Sequence, residues 1–441
     1  MPAPKRPARR SRVPAGRIER LARLGLLAGE VAIGGITEAA RRLTGGSDAA
    51  SSVFLTATNA RRLAERLSSM RGAAMKLGQL LSLEGQDLLP PEVAEALSIL
   101  RAEGDAMPEA QLRTVLTRNY GKQWERRFRT FGMDPIAAAS IGQVHHAIAA
   151  DGRELALKIQ YPGVDRSIDS DVDNLASILT LSRLLPGELD LSGVLAEAKR
   201  QLRQECDYQT EARHLRAYAE KLGDEPGVVI PRVHDDLTTA HIMAMDFLDG
   251  QPLDVLSGGT HGQRQRDRIG ALLYRILLRE LFELRYMQTD PNFANYLLLP
   301  NGDLGLLDYG AVRAFPAALI QRYRRIFRAS MEDDRDALRA AMLEVGFFDA
   351  GERPDRIEGL LDLFLIGCEP FARRGVYDFA ASDLPARARE VGFELTISKG
   401  FLHPPPPATI FLHRKLGGTF MLCARIGARV NVRALLQPFV A

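Results

Sequence analysis

The chain has few cysteines, no long apolar stretch and almost no net charge, and each scarcity excludes a class of protein. Its 441 residues include three cysteines, Cys206, Cys368 and Cys423. An odd number without close spacing builds neither a disulfide framework nor a cysteine-rich zinc site, and it fits a reducing compartment best. The longest uncharged run is about 16 residues and is interrupted by polar side chains, so we expect no membrane-spanning helix.

The small net charge of +3 conceals an uneven distribution of charge along the chain. The first 23 residues hold eight basic side chains and one acid, so this tail carries +7 and the rest of the chain −4. The tail lacks the apolar core of a secretory signal peptide. A basic arm would bind nucleic acid non-specifically, but no recognition module follows it, and we therefore expect no nucleic-acid partner.

Periodicity and turn residues predict a mixed α+β fold. Apolar and polar residues alternate over 143–149 and 154–160 on either side of Asp151-Gly152, and a second hairpin is predicted around Asn301-Gly302. Residues 240–248 read as a buried strand. Helices are predicted over 108–119, 169–184, 191–221 and 262–286, with further helices over most of 315–441.

This order of elements predicts a small strand-rich lobe and a larger helical lobe. A doubly wound sheet is excluded, because strands and helices do not alternate throughout the chain. We expect four parts: a basic tail with a surface-seeking apolar segment (1–45), a helical extension (46–125), a strand-rich lobe (126–250) and a helical lobe (251–441).

Four short segments carry residue types that suit a nucleotide triphosphate. A loop without bulky side chains lets backbone N–H groups approach phosphate oxygens. A strand lysine neutralises phosphate charge, and a helix carboxylate holds that lysine in place. Asparagine and aspartate oxygens are ligands that Mg²⁺ prefers. In chain order the segments are Ala137-Ala138-Ala139-Ser140 before Lys158, Glu205-Cys-Asp207-Tyr-Gln-Thr-Glu211, Asp290-Pro-Asn-Phe-Ala-Asn295, and Asp308-Tyr309-Gly310.

Each segment alone is typical of ordinary structure, such as a strand edge, a solvated helix face, a capped loop or a turn. Together they follow the order and spacing of a kinase. The chain resembles the UbiB/ADCK (aarF-domain) atypical kinases of ubiquinone biosynthesis over roughly residues 65–425. The resemblance also rests on Lys76-Leu-Gly78-Gln79 and on Leu412-His413-Arg414-Lys415-Leu-Gly417-Gly418. The alanine-rich loop and the His-Arg-Lys segment are closer to the mitochondrial-type branch.

The resemblance implies a bilobal protein-kinase-like fold with an N-terminal helical extension, and it implies a role for each candidate residue. Lys158 contacts the phosphates of ATP, with Glu211 preferred over Glu205 as its ion-pair partner, and Asp290 is the catalytic aspartate. Asn295 and Asp308 bind Mg²⁺. The remaining nucleotide contacts fall on Ala137, Ala138, Ala139, Ser140, Met245 and Phe247, and the regulatory signature on Lys76, Gln79, Glu205 and Asp207.

Two departures from protein kinases shape the expected activity. Gln288-Thr289-Asp290 replaces His-Arg-Asp, and no long activation segment follows Gly310. We therefore expect an atypical kinase or ATPase that supports ubiquinone biosynthesis and does not phosphorylate proteins. The alternatives are a small-molecule kinase of the aminoglycoside or choline type and a nucleotide-gated scaffold. The expected partners are ATP, an anionic membrane surface, prenylated quinone precursors and ubiquinone-biosynthesis proteins. We expect a cytoplasmic, bacterial-type chain bound peripherally to the inner membrane.

Deletion of residues 1–43 tests the role of the basic tail. Basic side chains close to an anionic leaflet contribute about 1 kcal/mol each, and salt screens that attraction. We expect the full chain to sediment with anionic liposomes at low salt and the deletion variant to stay in the supernatant. Neutral liposomes are the control. Undiminished binding of the deletion variant would assign the contact to the body of the protein.

Overall fold

The computed structural model describes residues 106–139, 141–181, 192–401 and 403–440. The basic tail, the apolar segment after it and most of the predicted helical extension, with Lys76 and Gln79, lie outside these residues, as does Ser140. The chain divides into two compact units. In the described residues, the first comprises 106–212 with 233–247, and the second comprises 213–232 with the residues from 248 onward.

The regular elements agree with a mixed α+β fold. In chain order, the α-helices are α1 (Glu109–Tyr120), α2 (Val164–Leu181), α3 (Ser192–Glu205), α4 (Tyr208–Leu222), α5 (Gln263–Leu278), α6 (Ala317–Glu332), α7 (Arg335–Val345), α8 (Pro354–Ala372), α9 (Leu384–Phe393), α10 (Pro407–Ile426) and α11 (Val432–Val440). The strands are β1 (Phe128–Phe131), β2 (Ala137–Ala138), β3 (Gly142–Ala149), β4 (Glu154–Gln160), β5 (Val228–Val229), β6 (Ile242–Asp246), β7 (Gln251–Pro252), β8 (Tyr286–Gln288), β9 (Tyr296–Leu298), β10 (Leu304–Leu306), β11 (Val312–Ala314), β12 (Tyr377–Asp378) and β13 (Arg429–Val430).

The first unit is built on an antiparallel sheet with the order β1-β3-β4-β6, and β2 pairs with the free part of β3. The predicted hairpin around Asp151-Gly152 is confirmed, and Gly152 takes the positive φ of 95° that its turn requires. Strand β4 is paired on both sides, with Lys158 opposite Val144 on β3 and Met243 on β6. Strand β4 is therefore an interior strand, and the side chain of Lys158 on it is only 11% exposed.

An aromatic core supports the outer edge of this sheet. Trp124 lies in a 3₁₀ turn after α1 and packs edge-on against Phe131, with ring centroids 5.3 Å apart. Phe128 packs on Phe131 in the same way at 5.4 Å. The hydroxyl of Tyr120 donates a 2.6 Å hydrogen bond to the main-chain oxygen of Leu237. Helix α1, which the periodicity of 108–119 predicts, is thereby attached to the sheet through buried rings.

The predicted helix over 191–221 is wrong as a single element, because it is broken at Cys206-Asp207. Helix α3 ends at Glu205, and Asp207 caps the start of α4 by accepting a 2.9 Å hydrogen bond from the backbone N–H of Thr210. The boundary between the two units also falls within α4, after Ala212. Residues 213–232 belong to the second unit, and the predicted boundaries of the parts stay predictions.

The second unit combines helices with small sheets. Strands β5, β10, β9 and β7 form one sheet, β8 pairs with β11, and β12 pairs with β13. The predicted hairpin at Asn301-Gly302 is confirmed as β9–β10, with Gly302 at a φ of 83°. Helix α5 continues into a π-helical turn, Arg279–Leu284. Strands β8 and β11 and the β12–β13 pair were not predicted, because segments of two or three residues without a turn signal between them carry no detectable periodicity.

In the described part of the chain, no helix combines the length and the apolarity that crossing a membrane requires.

Gly142 and Gly193 form a matched pair that tests the packing of β3 on β4. A Cβ on Gly142 would lie 2.3 Å from the main-chain oxygen of Ile159, whereas a Cβ on Gly193 meets no described atom within 4 Å. We expect Gly142→Ala to lower the free energy of unfolding by about 1–3 kcal/mol. Gly193→Ala, in helix α3, should change it by less than about 1 kcal/mol, in the stabilising direction. Urea denaturation measures both, and equal effects would contradict the steric explanation.

Candidate functional site

Lys158 and Glu211 form a buried ion pair in the first unit. The Nζ of Lys158 donates to both carboxylate oxygens of Glu211, at 2.7 and 2.9 Å. The side chain of Lys158 is 11% exposed and that of Glu211 is 1% exposed. Of the two carboxylates that the sequence offered, the one against Lys158 is therefore Glu211. Because the pair is buried, moving either group would leave the other as an uncompensated buried charge. The ammonium group is therefore held in one place.

The break between α3 and α4 brings Glu211 to the strand. Gln160, two residues after Lys158 on β4, donates a 2.6 Å hydrogen bond to the main-chain oxygen of Cys206. Tyr208, the first residue of α4, is fully buried, and its ring lies 5.3 Å from the Nζ of Lys158. Burial raises the pKa of the Cys206 thiol to about 12, so the thiol stays protonated and is no nucleophile at neutral pH.

The alanine-rich segment is a short hairpin arm rather than an irregular loop. Ala137 and Ala138 form β2, opposite Val144 and Gln143 of β3, and the backbone N–H of Ala139 donates to the main-chain oxygen of Gly142 at 2.9 Å. The side chains of Ala137 and Ala138 are exposed. Backbone groups that already pair within the hairpin are not free to bind phosphate, so nucleotide contacts here would have to come from the remaining groups.

The predicted adenine-binding segment lies at the end of β6. Met245 is buried and pairs with Ala156 of β4. The backbone N–H of Phe247 donates a 3.1 Å hydrogen bond to the main-chain oxygen of Glu154. That N–H is consequently occupied by the protein itself and would not read an adenine ring. The ring of Phe247 packs edge-on against His146, with centroids 4.6 Å apart.

The Asp290 loop of the second unit is closed by hydrogen bonds to one carbonyl. The main-chain oxygen of Asp290 accepts from the backbone N–H of Asn292 at 2.8 Å, the Nδ2 of Asn295 at 2.9 Å and the Nε2 of Gln288 at 2.8 Å. A 3₁₀ turn, Phe293–Asn295, completes the loop. The Asp290 carboxylate is 20% exposed and lies 2.5 Å from a guanidinium nitrogen of Arg414.

Asn295 and Asp308 flank the same β-hairpin. Tyr296 of β9 pairs with Leu306 of β10, and the backbone N–H of Leu307 donates to the main-chain oxygen of Asn295 at 3.0 Å. The hairpin therefore places the two residues where its strands leave the sheet. The Nδ2 of Asn295 donates a hydrogen bond within the Asp290 loop. The oxygen of the same amide group is therefore the candidate metal ligand.

These two residues fit Mg²⁺ as a partial ligand set. One amide oxygen and one carboxylate are hard donors, and Mg²⁺ completes its shell with phosphate oxygens and water rather than with a full protein cage. One oxygen of Asp308 accepts from the backbone N–H of Gly310 at 2.9 Å, which orients the carboxylate. Among the residues that the structure describes, no cluster of three or more His, Cys, Asp or Glu side chains could hold a metal alone.

A buried polar cluster lies beneath these segments. Glu280 is 1% exposed and accepts from the Tyr218 hydroxyl at 2.8 Å and from the backbone N–H of Gln288 at 3.2 Å. The Nζ of Lys415 lies 3.2 Å from Glu280 and 3.2 Å from the Oε1 of Gln288. Burial opposes the charge on Lys415, but Glu280 and Tyr296 outweigh it and raise the lysine pKa. Burial raises the pKa of Tyr309, the middle residue of Asp308-Tyr309-Gly310, well above 10.

The His-Arg-Lys segment of α10 sends its three side chains to three places. His413 accepts or donates a 2.8 Å hydrogen bond with the Tyr323 hydroxyl and stacks on Phe347, and burial lowers its pKa to about 4. Arg414 reaches Asp290, and Lys415 reaches Glu280. No role for this segment could be predicted from the sequence, because a contact across 124 residues leaves no trace in local spacing. Glu280 was missed for the same reason.

Replacement of Glu211 tests the buried pair, and Glu220 on the same helix is the matched control. Loss of one partner of a buried ion pair costs about 3–5 kcal/mol, since the other charge stays buried. We expect Glu211→Gln to lower the free energy of unfolding by that order. The exposed Glu220→Gln should change it by less than about 0.5 kcal/mol. Urea denaturation above pH 6 compares the two variants, and equal stabilities would show that the pair contributes nothing.

Comparisons with known proteins show which family this chain is similar to. The model of the ABC1 atypical kinase-like domain matches residues 99–342. The atypical kinase COQ8B, mitochondrial, of Rattus norvegicus is 39% identical over 98% of this chain and 81% of its own length. The atypical kinase COQ8, mitochondrial, of Saccharomyces cerevisiae is 38% identical over 98% of this chain and 86% of its own length. The structure of Rv3197 from Mycobacterium tuberculosis, in complex with erythromycin, matches with a TM-score of 0.60 and 28% identity, over 87% of this chain and 96% of the other.

The comparisons overturn the expected location. The relatives from rat, Saccharomyces cerevisiae and Schizosaccharomyces pombe are named as mitochondrial proteins, so the expectation of a cytoplasmic, bacterial-type chain at the inner membrane is wrong.

The same comparisons confirm the kinase-like fold and the atypical-kinase assignment, and they do not favour the aminoglycoside or choline type. The family model covers more than half of the 441 residues, and the rat and yeast relatives match nearly the whole chain at more than 30% identity. The chain belongs to the family of ABC1 atypical kinase-like proteins.

Proposed function

We propose that this protein binds Mg-ATP and acts as an atypical kinase or ATPase in ubiquinone biosynthesis. The observation that carries the proposal is the buried pair of Lys158 and Glu211, at 2.7 and 2.9 Å, on a strand and a helix. A strand lysine fixed by a helix carboxylate is the arrangement with which kinases hold the α- and β-phosphates. The names of the COQ8 relatives support the kinase chemistry.

In this proposal each named side chain has one task. Lys158 neutralises phosphate charge, while Asn295 and Asp308 hold Mg²⁺, which lowers the charge on the phosphate oxygens when bound. Asp290 orients an attacking hydroxyl or water and takes its proton. The attacking oxygen bonds to the γ-phosphorus, the bond to the β–γ bridging oxygen breaks, and ADP leaves. With water as the attacking group the reaction is hydrolysis.

The chain after Asp308 supports an acceptor other than a protein. One residue after Gly310 the short strand β11 begins, Val312–Ala314, and helix α6 follows from Ala317. In protein kinases a long segment at this place carries the control by activation-loop phosphorylation. With so few residues there, we infer that the acceptor is a small molecule or water.

The proposed partners follow from that chemistry. We propose that the acceptor or effector is a prenylated quinone precursor, which partitions into a lipid phase, and that the protein works at an anionic membrane surface beside other ubiquinone-biosynthesis proteins. The +7 charge of the first 23 residues supports an anionic surface, since basic residues are drawn to anionic headgroups. A prenylated phenol in anionic vesicles is therefore the natural probe for activation.

Asp308→Asn tests the proposed chemistry. The substitution keeps the size of the side chain and removes the charge that would hold Mg²⁺. We expect steady Mg-ATP turnover by the unchanged protein, stimulation by anionic vesicles with a prenylated phenol, and a fall in kcat of about 100-fold or more in the variant. Phosphate release measures turnover, and quinone profiling of a deletion strain tests the pathway.

Asp254→Asn is the control, because this exposed aspartate lies in a 3₁₀ turn of the same unit. It should turn over ATP at the rate of the unchanged protein. If the protein binds nucleotide but turns over none under any condition, the result would favour a nucleotide-gated scaffold over an enzyme. Normal ubiquinone in the deletion strain would remove the pathway assignment.

A further inference from the structure

Helix α10 contacts the Asp290 loop through two side chains and one glycine within two turns. Arg414 reaches the Asp290 carboxylate, Lys415 reaches Gln288, and Gly418 lies against Pro291. Each contact joins residues more than 120 positions apart in the chain. Their convergence on one loop suggests that the helix sets the position of that loop.

The contact with Arg414 makes the two oxygens of the Asp290 carboxylate different in their hydrogen bonding. One guanidinium nitrogen of Arg414 donates a charge-assisted hydrogen bond to Oδ1 at 2.5 Å. The other oxygen, Oδ2, has a long contact of 3.4 Å with the Nδ2 of Asn295. Since Arg414 is 11% exposed and Asp290 is 20% exposed, water does little to weaken the pair. Oδ2 is thus the oxygen left to accept a proton.

Lys415 fixes the main chain of the same residue indirectly. Its Nζ donates to the Oε1 of Gln288 at 3.2 Å, and the Nε2 of Gln288 donates to the main-chain oxygen of Asp290 at 2.8 Å. Glu280 balances the buried lysine charge. The carboxylate and the carbonyl of Asp290 are therefore both tied to neighbouring residues of α10.

Gly418 lets the helix approach the loop closely. A Cβ at this position would lie 2.0 Å from the Cγ of Pro291, which no packed structure tolerates. The adjacent Gly417 has no described atom within 4 Å of such a Cβ. Of these two neighbouring glycines, only Gly418 must lack a Cβ, and the atom that a Cβ would meet belongs to the Asp290 loop.

We propose that Arg414 is a positioning residue, which clamps Oδ1 of Asp290 so that Oδ2 faces the attacking hydroxyl or water, with α10 as its rigid support. This inference deepens the proposed function and rests on it. A carboxylate free to rotate would present either oxygen at variable angles, whereas the clamp presents one. Misplacement of a catalytic group by about 1 Å can cost about 100-fold in rate.

The test measures kcat, the KM for ATP and the thermal midpoint for Arg414→Ala, Arg414→Lys, Asp290→Asn and the double variant Arg414→Ala/Asp290→Asn. We expect Arg414→Ala to lower kcat by about 10- to 100-fold while the KM for ATP stays within about two-fold. Arg414→Lys keeps the charge and should recover part of the rate. In the Asp290→Asn background, loss of Arg414 should lower kcat no further, because the group it orients is gone.

Two controls separate positioning from general damage. Arg335→Ala removes a half-exposed arginine that pairs with Glu358 and Asp362 on α8, and it should leave kcat unchanged. Gly418→Ala should lower kcat as the helix is pushed from Pro291, whereas Gly417→Ala should not. If both glycine variants behave alike, the helix does not set the loop.

The outcomes distinguish this inference from the proposed function. Turnover of Arg414→Ala within two-fold of the unchanged protein, or an equal loss in both backgrounds, would overturn the positioning role. If the unchanged protein turns over no ATP, the proposed function fails, and the thermal midpoints still decide on the clamp. Midpoint shifts that do not add in the double variant support the clamp, and additive shifts overturn it.

Discussion

A lysine inside a sheet must find an anion, and the first unit is arranged around that constraint. Strand β4 is paired on both sides, and the side chain of Lys158 is only 11% exposed. The anion comes from α4, which starts anew after the break at Cys206-Asp207. One ion pair, Lys158 with Glu211, is thus supported by three features: the break between α3 and α4, the cap at Asp207 and the hydrogen bond from Gln160.

In the second unit, the charge of Asp290 is paired by Arg414, which lies on helix α10, 124 residues further along the chain. The Asp290 loop has few residues in regular structure, so its carbonyl is satisfied by three donors and its carboxylate by Arg414. The cluster of Glu280 and Lys415 beneath it is nearly dry. Buried charges of this kind stabilise little overall, but they penalise any rearrangement that separates them. The loop is therefore specified by polar contacts rather than by apolar packing.

Local patterns in the sequence predicted the local structure well. The two hairpins could be placed because Asp-Gly and Asn-Gly turns stand between alternating residues, and the face of α5 follows from its periodicity. Family resemblance supplied the choice of Glu211 over Glu205. The break before Tyr208 was missed, since an aspartate that caps one helix looks like an ordinary residue inside a longer one. Arg414 and Gly418 acquire meaning only through tertiary contacts, which no spacing encodes.

The β9–β10 hairpin carries both candidate metal ligands within one short stretch of the chain. Asn295 and Asp308 stand at the two ends of one short stretch of chain, closed by the Asn301-Gly302 turn. Such a pair needs little loop closure, so its two oxygens can come together as soon as the hairpin forms, before distant contacts are made. The tip of that hairpin lies at the opposite end from the ligands. A change in the turn would first disturb its hydrogen bonds with Arg268, at the end of the hairpin that lies away from Asn295 and Asp308.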